Sequence, residues 1–173
     1  MLMENRRHEK RNKYIERIQQ LFIDKGYCTC GRIDMTADPI MRIVLDVPHG
    51  RVVILAQLYI SSMRLFMFHS QTIDPTSRNT IQSRMKRLNG SLSNGMGYGF
   101  SKIGAVAFDA GPGYTFRHSD PQDDAGLEGF CELIGKTAPA RIDELTALGL
   151  NGVEIIGNHR EQEREGYGAV FSN

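Results

Sequence analysis

DPTSRNTIQSRMKRLNGSLSNGMGYGF, residues 74–100, decides how this chain is organised. Asp74-Pro75 marks a helix start. The Asp carboxylate accepts orphan backbone N–H groups as an N-cap, and Pro suits the first helical position. Ile81, Met85, Leu88 and Leu92 follow at helical spacing, so one edge of this helix is apolar. Burying those four groups is worth roughly 1.5–3 kcal/mol each before ordering costs. The opposite side carries Arg78, Arg84, Lys86 and Arg87. Asn89-Gly90 stops the helix, and the chain re-emerges through Gly95 to Phe100 into a strand. The segment therefore separates two β regions and sets the order of elements.

Upstream, Tyr14, Ile15, Ile18, Leu21 and Phe22 form one stripe and predict a helix over residues 5–25, closed by Gly26. Arg6 and Arg7 lie at the unfavourable end of its dipole, so its first turns are expected to fray. Ile33 and Met35 allow a short strand before Asp38-Pro39. Three strands follow over 41–47, 51–60 and 64–69. In the first, Met41, Ile43, Leu45 and Val47 alternate with polar residues, and in the second Val52, Ile54, Ala56, Leu58 and Ile60 make one wholly apolar face. Their short connections make an antiparallel meander.

Downstream, residues 100–108 and 114–118 predict a hairpin around Ala110-Gly111-Pro112-Gly113. Asp120-Pro121 repeats the helix-start signal. Leu127, Phe130, Cys131, Ile134, Ile142, Leu145 and Leu148 keep the helical period, with a break or kink at Pro139. A short strand over 153–156 and a loose tail over 157–173 complete the reading. The fold class is α+β, a single antiparallel sheet with helices on one face in the order α-β-β-β-α-β-β-α. One domain covers 1–156, with residues 1–13 as a basic arm.

A net charge of +1 gives no general reason to expect nucleic acid or membrane. The N-terminus lacks the apolar core of a signal peptide, and the longest apolar run, 52–56, is too short to span a bilayer. Three cysteines point to reduced thiols and a cytoplasmic location. Cys28-Thr29-Cys30 lacks the further ligands a metal needs, so neither metal nor cofactor is expected. The glycines at 95, 97 and 99 have the wrong spacing for a phosphate loop and precede a strand, not a helix. His118-Ser119-Asp120 is a triad only in text, since adjacent residues cannot adopt that geometry. No catalytic residue stands out. Six internal methionines, near the sheet and second helix, suit either core filling or a surface that accepts varied peptides.

The order of elements, with Leu88-Asn89 closing the second helix, then Leu92 and the Gly99-Phe100 step, resembles the YbjN-like bacterial family, which has the type III secretion chaperone-like fold. The resemblance covers residues 14–148. It implies a non-enzymatic, chaperone-like or regulatory role. It further implies a homodimer that holds a partner polypeptide in extended form against apolar patches and sheet edges. This chain departs from secretion chaperones, which are usually acidic, in being near neutral with a basic first helix. On this reading Met63, Leu65, Met67, Ile81, Met85 and Leu88 are the expected partner or dimer contacts. A second reading is a nucleic-acid-associated factor using Arg6, Arg7, Lys10, Arg11 and Lys13, with Arg84, Lys86 and Arg87. A third is a small enzyme whose site gathers distant residues such as His69, His118 and Asp109.

Overall fold

The structure, a computed structural model, describes residues 2–26, 28–30, 40–92 and 95–154. It is α+β. Helix α1 (Leu2–Asp24) leads to β1 (Cys28–Cys30), and β2 (Ile40–Val47), β3 (Gly50–Leu58) and β4 (Ser62–Ile73) form the expected meander. Helix α2 (Arg78–Asn89) divides the chain, and β5 (Gly97–Phe100), β6 (Ala105–Asp109) and β7 (Tyr114–Thr115) follow. Helices α3 (Ala125–Glu132) and α4 (Ala138–Ala147) and strand β8 (Leu150–Glu154) close it. All pairings are antiparallel, in the order β1-β2-β3-β4-β6-β5, with β7 and β8 added to the two ends of β4. The short strand that Ile33 and Met35 allow before Asp38-Pro39, and the tail over 157–173, lie outside the described residues. No described helix is long and apolar enough to cross a membrane.

Register explains the core. Met41 faces Ala56, Ile43 faces Ile54 and Leu45 faces Val52, and these rows continue into Leu65, Met67 and His69 of β4. Because side chains alternate, all these residues share one face. Helix α4 crosses β2, β3, β4 and β6 on it, while α1 packs on α3 and α2 on β5 and α4. Every member of those rows is buried, and His69 is the one polar side chain among them.

The helix starts are built as the sequence dictates, with one refinement. Asp74 and Asp120 each cap a single 3₁₀ turn, accepting from the N–H of Thr76 and of Gln122. Asp124 is the N-cap of α3 and accepts from Leu127 N. Its buried carboxylate also accepts the hydroxyls of Tyr14, at 2.6 Å, and of Tyr114, which ties α1 and β7 to the start of α3. Burial pushes the Tyr14 hydroxyl up to about 12, with its bond to Asp124 adding to the effect. Pro139 falls in the first turn of α4, where its missing N–H costs no helical bond, and the π-helical turn over Leu133–Thr137 forms the expected break ahead of it.

The hairpin differs from expectation. Residues 101–104 turn the chain, so β5 pairs with β6, and β7 pairs with Ser62 and Met63 at the start of β4. Ser101 and Gly104, whose φ is +81°, make that turn. The glycines at 97 and 99 are therefore strand residues. Gly113 takes the chain to β7 with φ +80°, and a Cβ there would lie 1.9 Å from the Met63 carbonyl oxygen.

Candidate functional site

Two features among the described residues join charged or titratable side chains to an accessible opening. The first is a polar centre beneath the β2–β3 turn. In β4, the pairing with β6 shifts between Phe68 and Thr72, an irregularity that contains His69, Ser70 and Gln71. Bulges of this kind re-aim side chains. The Gln71 N–H donates to His69 Nδ1 at 3.2 Å. That bond makes Nδ1 the acceptor, so Nε2 carries the proton and donates to Asp143 Oδ1 at 3.3 Å. His69 is fully buried, and burial holds its pKa below the ordinary imidazole value, against the pull of Asp143.

Asp143 projects from α4 and is itself buried. It accepts two further bonds from the turn: His49 N–H at 3.1 Å to Oδ1, and His49 Nδ1 at 2.9 Å to Oδ2. A buried carboxylate costs free energy unless its lone pairs are met, and here three donors meet them. The His49 ring is half exposed, with its Nε2 edge not held by Asp143. Gly50 gives the cluster its clearance, since a Cβ there would lie 2.9 Å from His69 Cε1. The arrangement can orient an imidazole.

It also predicts how stability responds to acid. The unfolded chain protonates His69 near the ordinary value of about 6.5, whereas the folded chain resists it. This contribution is complete above that value and is lost as pH falls through it towards the lower folded pKa. The melting temperature of the protein should fall between about pH 7.5 and 5.5, and His69→Gln should flatten that slope. An unchanged slope in the variant would remove His69 as its cause.

The second feature is an open groove between α2 and α4, about 300 Å³ in volume. Its lining is Arg84, Arg87 and Leu88 from α2, with Arg141, Glu144, Leu145 and Leu148 from α4 and its end. Leu145 is buried and forms the floor, Leu88 is half-buried, and Leu148 is exposed. Helix α2 carries four basic residues and no acidic one. Arg78 lies over the Phe100 ring, 4.7 Å from its centroid. Among the described residues no carboxylate lies within ion-pair distance of Arg84 or Arg87, while Arg141 pairs with Glu144 at 3.0 Å. The helix dipole favours Lys86 and Arg87 in the last turn of α2. It does not account for Arg141, which stands near the positive end of α4.

Of the residues expected as partner contacts, Met63, Leu65, Met67, Ile81 and Met85 are buried in the hydrophobic core, and only Leu88 reaches the groove. The basic arm is divided. Lys10 donates to the Phe116 carbonyl at 2.9 Å, Arg11 is buried, and Lys13 stands 3.9 Å from Glu9, which leaves Arg6 and Arg7 exposed on α1. His69, His118 and Asp109 do not meet. His69 is on the core face, whereas Asp109 lies opposite Phe66 on the other face and stands 3.7 Å from Arg64. His118 is exposed and places only its N–H on Tyr14 Oη, at 3.1 Å. Burial raises the Cys131 thiol to about 12, so it behaves as a small core side chain. Among the described residues no three His, Cys, Asp or Glu side chains are placed to hold a metal.

The polar centre left signals in the sequence that a search for motifs passes over. His69 continues the apolar alternation of Met63, Leu65 and Met67. Asp143 stands four residues after Pro139 and three before Thr146, on the buried side of its helix. A polar residue at an apolar phase needs a buried partner, and each is the other's. No family model matches the chain, and no curated protein and no solved structure matches it either.

Proposed function

We propose that this protein is a binding domain, chaperone-like or regulatory, that holds a partner polypeptide and works as a homodimer. The observation that carries the reading is the groove between α2 and α4. There Leu88 and Leu148 lie among arginines, of which Arg84 and Arg87 have no carboxylate partner among the described residues. A groove that sets apolar side chains among such cations offers a partner hydrophobic contact and charge in one place.

The groove is a better site than the sheet edge at β5. The Asn89 side chain pairs there with Tyr98 as a neighbouring strand would: its Nδ2 donates to Tyr98 O at 2.9 Å and its Oδ1 accepts Tyr98 N–H at 2.7 Å. With that edge filled, strand addition has little to pair with. This gives Asn89, at the end of the dividing helix, a physical role.

Dimerisation is tested by light scattering. The purified protein should show twice the chain mass at micromolar concentration, and a monomer there would overturn that part of the proposal. A second reading, a small enzyme, is favoured by one observation, the half-exposed His49 ring oriented by Asp143. It predicts that His49→Gln abolishes an activity while leaving partner binding intact.

A further inference from the structure

We propose that the groove between α2 and α4 takes an acidic, amphipathic segment of a partner protein, one that presents carboxylates and leucine-like side chains one helical turn apart. The inference rests on the protein-binding reading and specifies the partner. On the α2 wall Arg84 precedes Leu88 by four residues, and on the α4 wall Arg141 precedes Leu145 by four and Leu148 by seven. Each wall thus offers a cation and an apolar side chain about 6 Å apart along its axis. Because Gly149 at the end of α4 bonds Asp74 ahead of α2, the two walls run in opposite directions, setting a cation of one across from an apolar side chain of the other. A ligand that matches this repeat places carboxylates on the arginines and apolar side chains on the leucines at the same time. An acidic amphipathic helix has that periodicity by construction. Guanidinium groups fit carboxylates in bidentate geometry, and Arg84 and Arg87 are the groove cations without a carboxylate partner among the described residues, whereas Arg141 already pairs with Glu144, the groove's one acid.

Two other occupants fit less well. Nucleic acid would find arginines but no aromatic side chain to stack on, since none lines the groove. A second copy docked through this groove would bring two linings of three arginines and one glutamate together, so it lacks the charge complement that an acidic segment has.

The test is fluorescence anisotropy with labelled probes of about 14 residues, long enough for two to three anchoring turns. One probe carries Glu and Leu at four-residue spacing, one has the same composition scrambled, one is oligoglutamate, and the last is a single-stranded oligonucleotide. The patterned peptide should bind best and weaken with salt. Arg84→Glu/Arg87→Glu should weaken it about tenfold or more, and a peptide with Lys in place of Glu should regain affinity for that variant. Leu148→Asn, which removes the apolar contact without adding charge, should weaken the patterned peptide and leave oligoglutamate unchanged. These positions are exposed or half-exposed, and circular dichroism melts establish that each variant is folded. Equal binding of scrambled peptide or oligoglutamate, tighter binding of the oligonucleotide, or no binding of any acidic probe would overturn the inference. A loss of chain mass in light scattering for the charge-reversed variant would also overturn it, by making the groove the dimer seam. The wider protein-binding reading survives a failure with acidic probes, because unbiased selection of peptides tests it separately.

Discussion

Replacing Gly113 by Ala should destabilise the protein by about 3 kcal/mol or more, among the largest effects of any single methyl group in the chain. Two causes act together. The residue has φ +80°, which an L side chain adopts at a cost of about 1–2 kcal/mol. Its new Cβ would also stand 1.9 Å from the Met63 carbonyl oxygen, a backbone atom that moves only if the β4–β7 pairing opens. Gly104 separates the two causes. It has nearly the same φ, +81°, and a Cβ added there would meet nothing within 4 Å. Gly104→Ala should therefore show the conformational cost alone, about 1 kcal/mol. At about 2–4 °C per kcal/mol for a chain of this size, thermal melts resolve the two variants clearly. Equal losses would mean that the close approach to Met63 contributes nothing.

Asp143→Ala should cost about 2–4 kcal/mol. It removes the acceptor of His69 Nε2–H inside the core and both anchors of the His49 turn. The orphaned donor accounts for much of this, because nothing else in a buried row of apolar side chains can accept from it. Asp143→Asn keeps an acceptor and should cost less than Asp143→Ala. The apolar pair His69→Leu/Asp143→Leu should cost less than the sum of its singles, since it removes charge and donor together. Additive losses in urea titrations would show that His69 and Asp143 do not act as a unit.

Most of the fold can be read from local chemistry. Asp74-Pro75, the alternation through Met41 to Met67 and the stripe from Tyr14 to Phe22 each encode their element in adjacent residues, and the structure has all of them. The hairpin is harder to read because Phe100 to Phe108 is apolar enough to pass for one strand. Its turn rests on Ser101 and Gly104, a four-residue segment with one weak signal. The pairing of β7 with β4 is not local at all. It depends on the Gly113 backbone passing Met63, a contact between residues about fifty apart in the chain.

The candidate sites are less legible for the same reason. Ile81 and Met85 are core and Leu88 is groove wall, yet all three fall on one helical edge, and only the position of α4 distinguishes them. The four cations of α2 are visible in the sequence, but Arg141, which lines the groove with Arg84 and Arg87, belongs to a helix more than fifty residues later. Asp143 becomes a partner for His49 and His69 only once the β2–β3 turn, β4 and α4 are brought together. A helix period gives the phase of a side chain but not its neighbour across the interface.

Whether the protein holds a partner polypeptide in the groove between α2 and α4 is decided most directly by peptide selection. A random display library of peptides about 12–16 residues long suits it, the length helix-in-groove recognition needs. The peptides enriched on the native protein are then titrated against a folded Leu88→Asp/Leu148→Asp variant. Groove binding predicts enrichment of a defined set whose affinity falls about tenfold or more on the variant. Enriched peptides that bind both proteins equally, or a selection that enriches nothing, would contradict it.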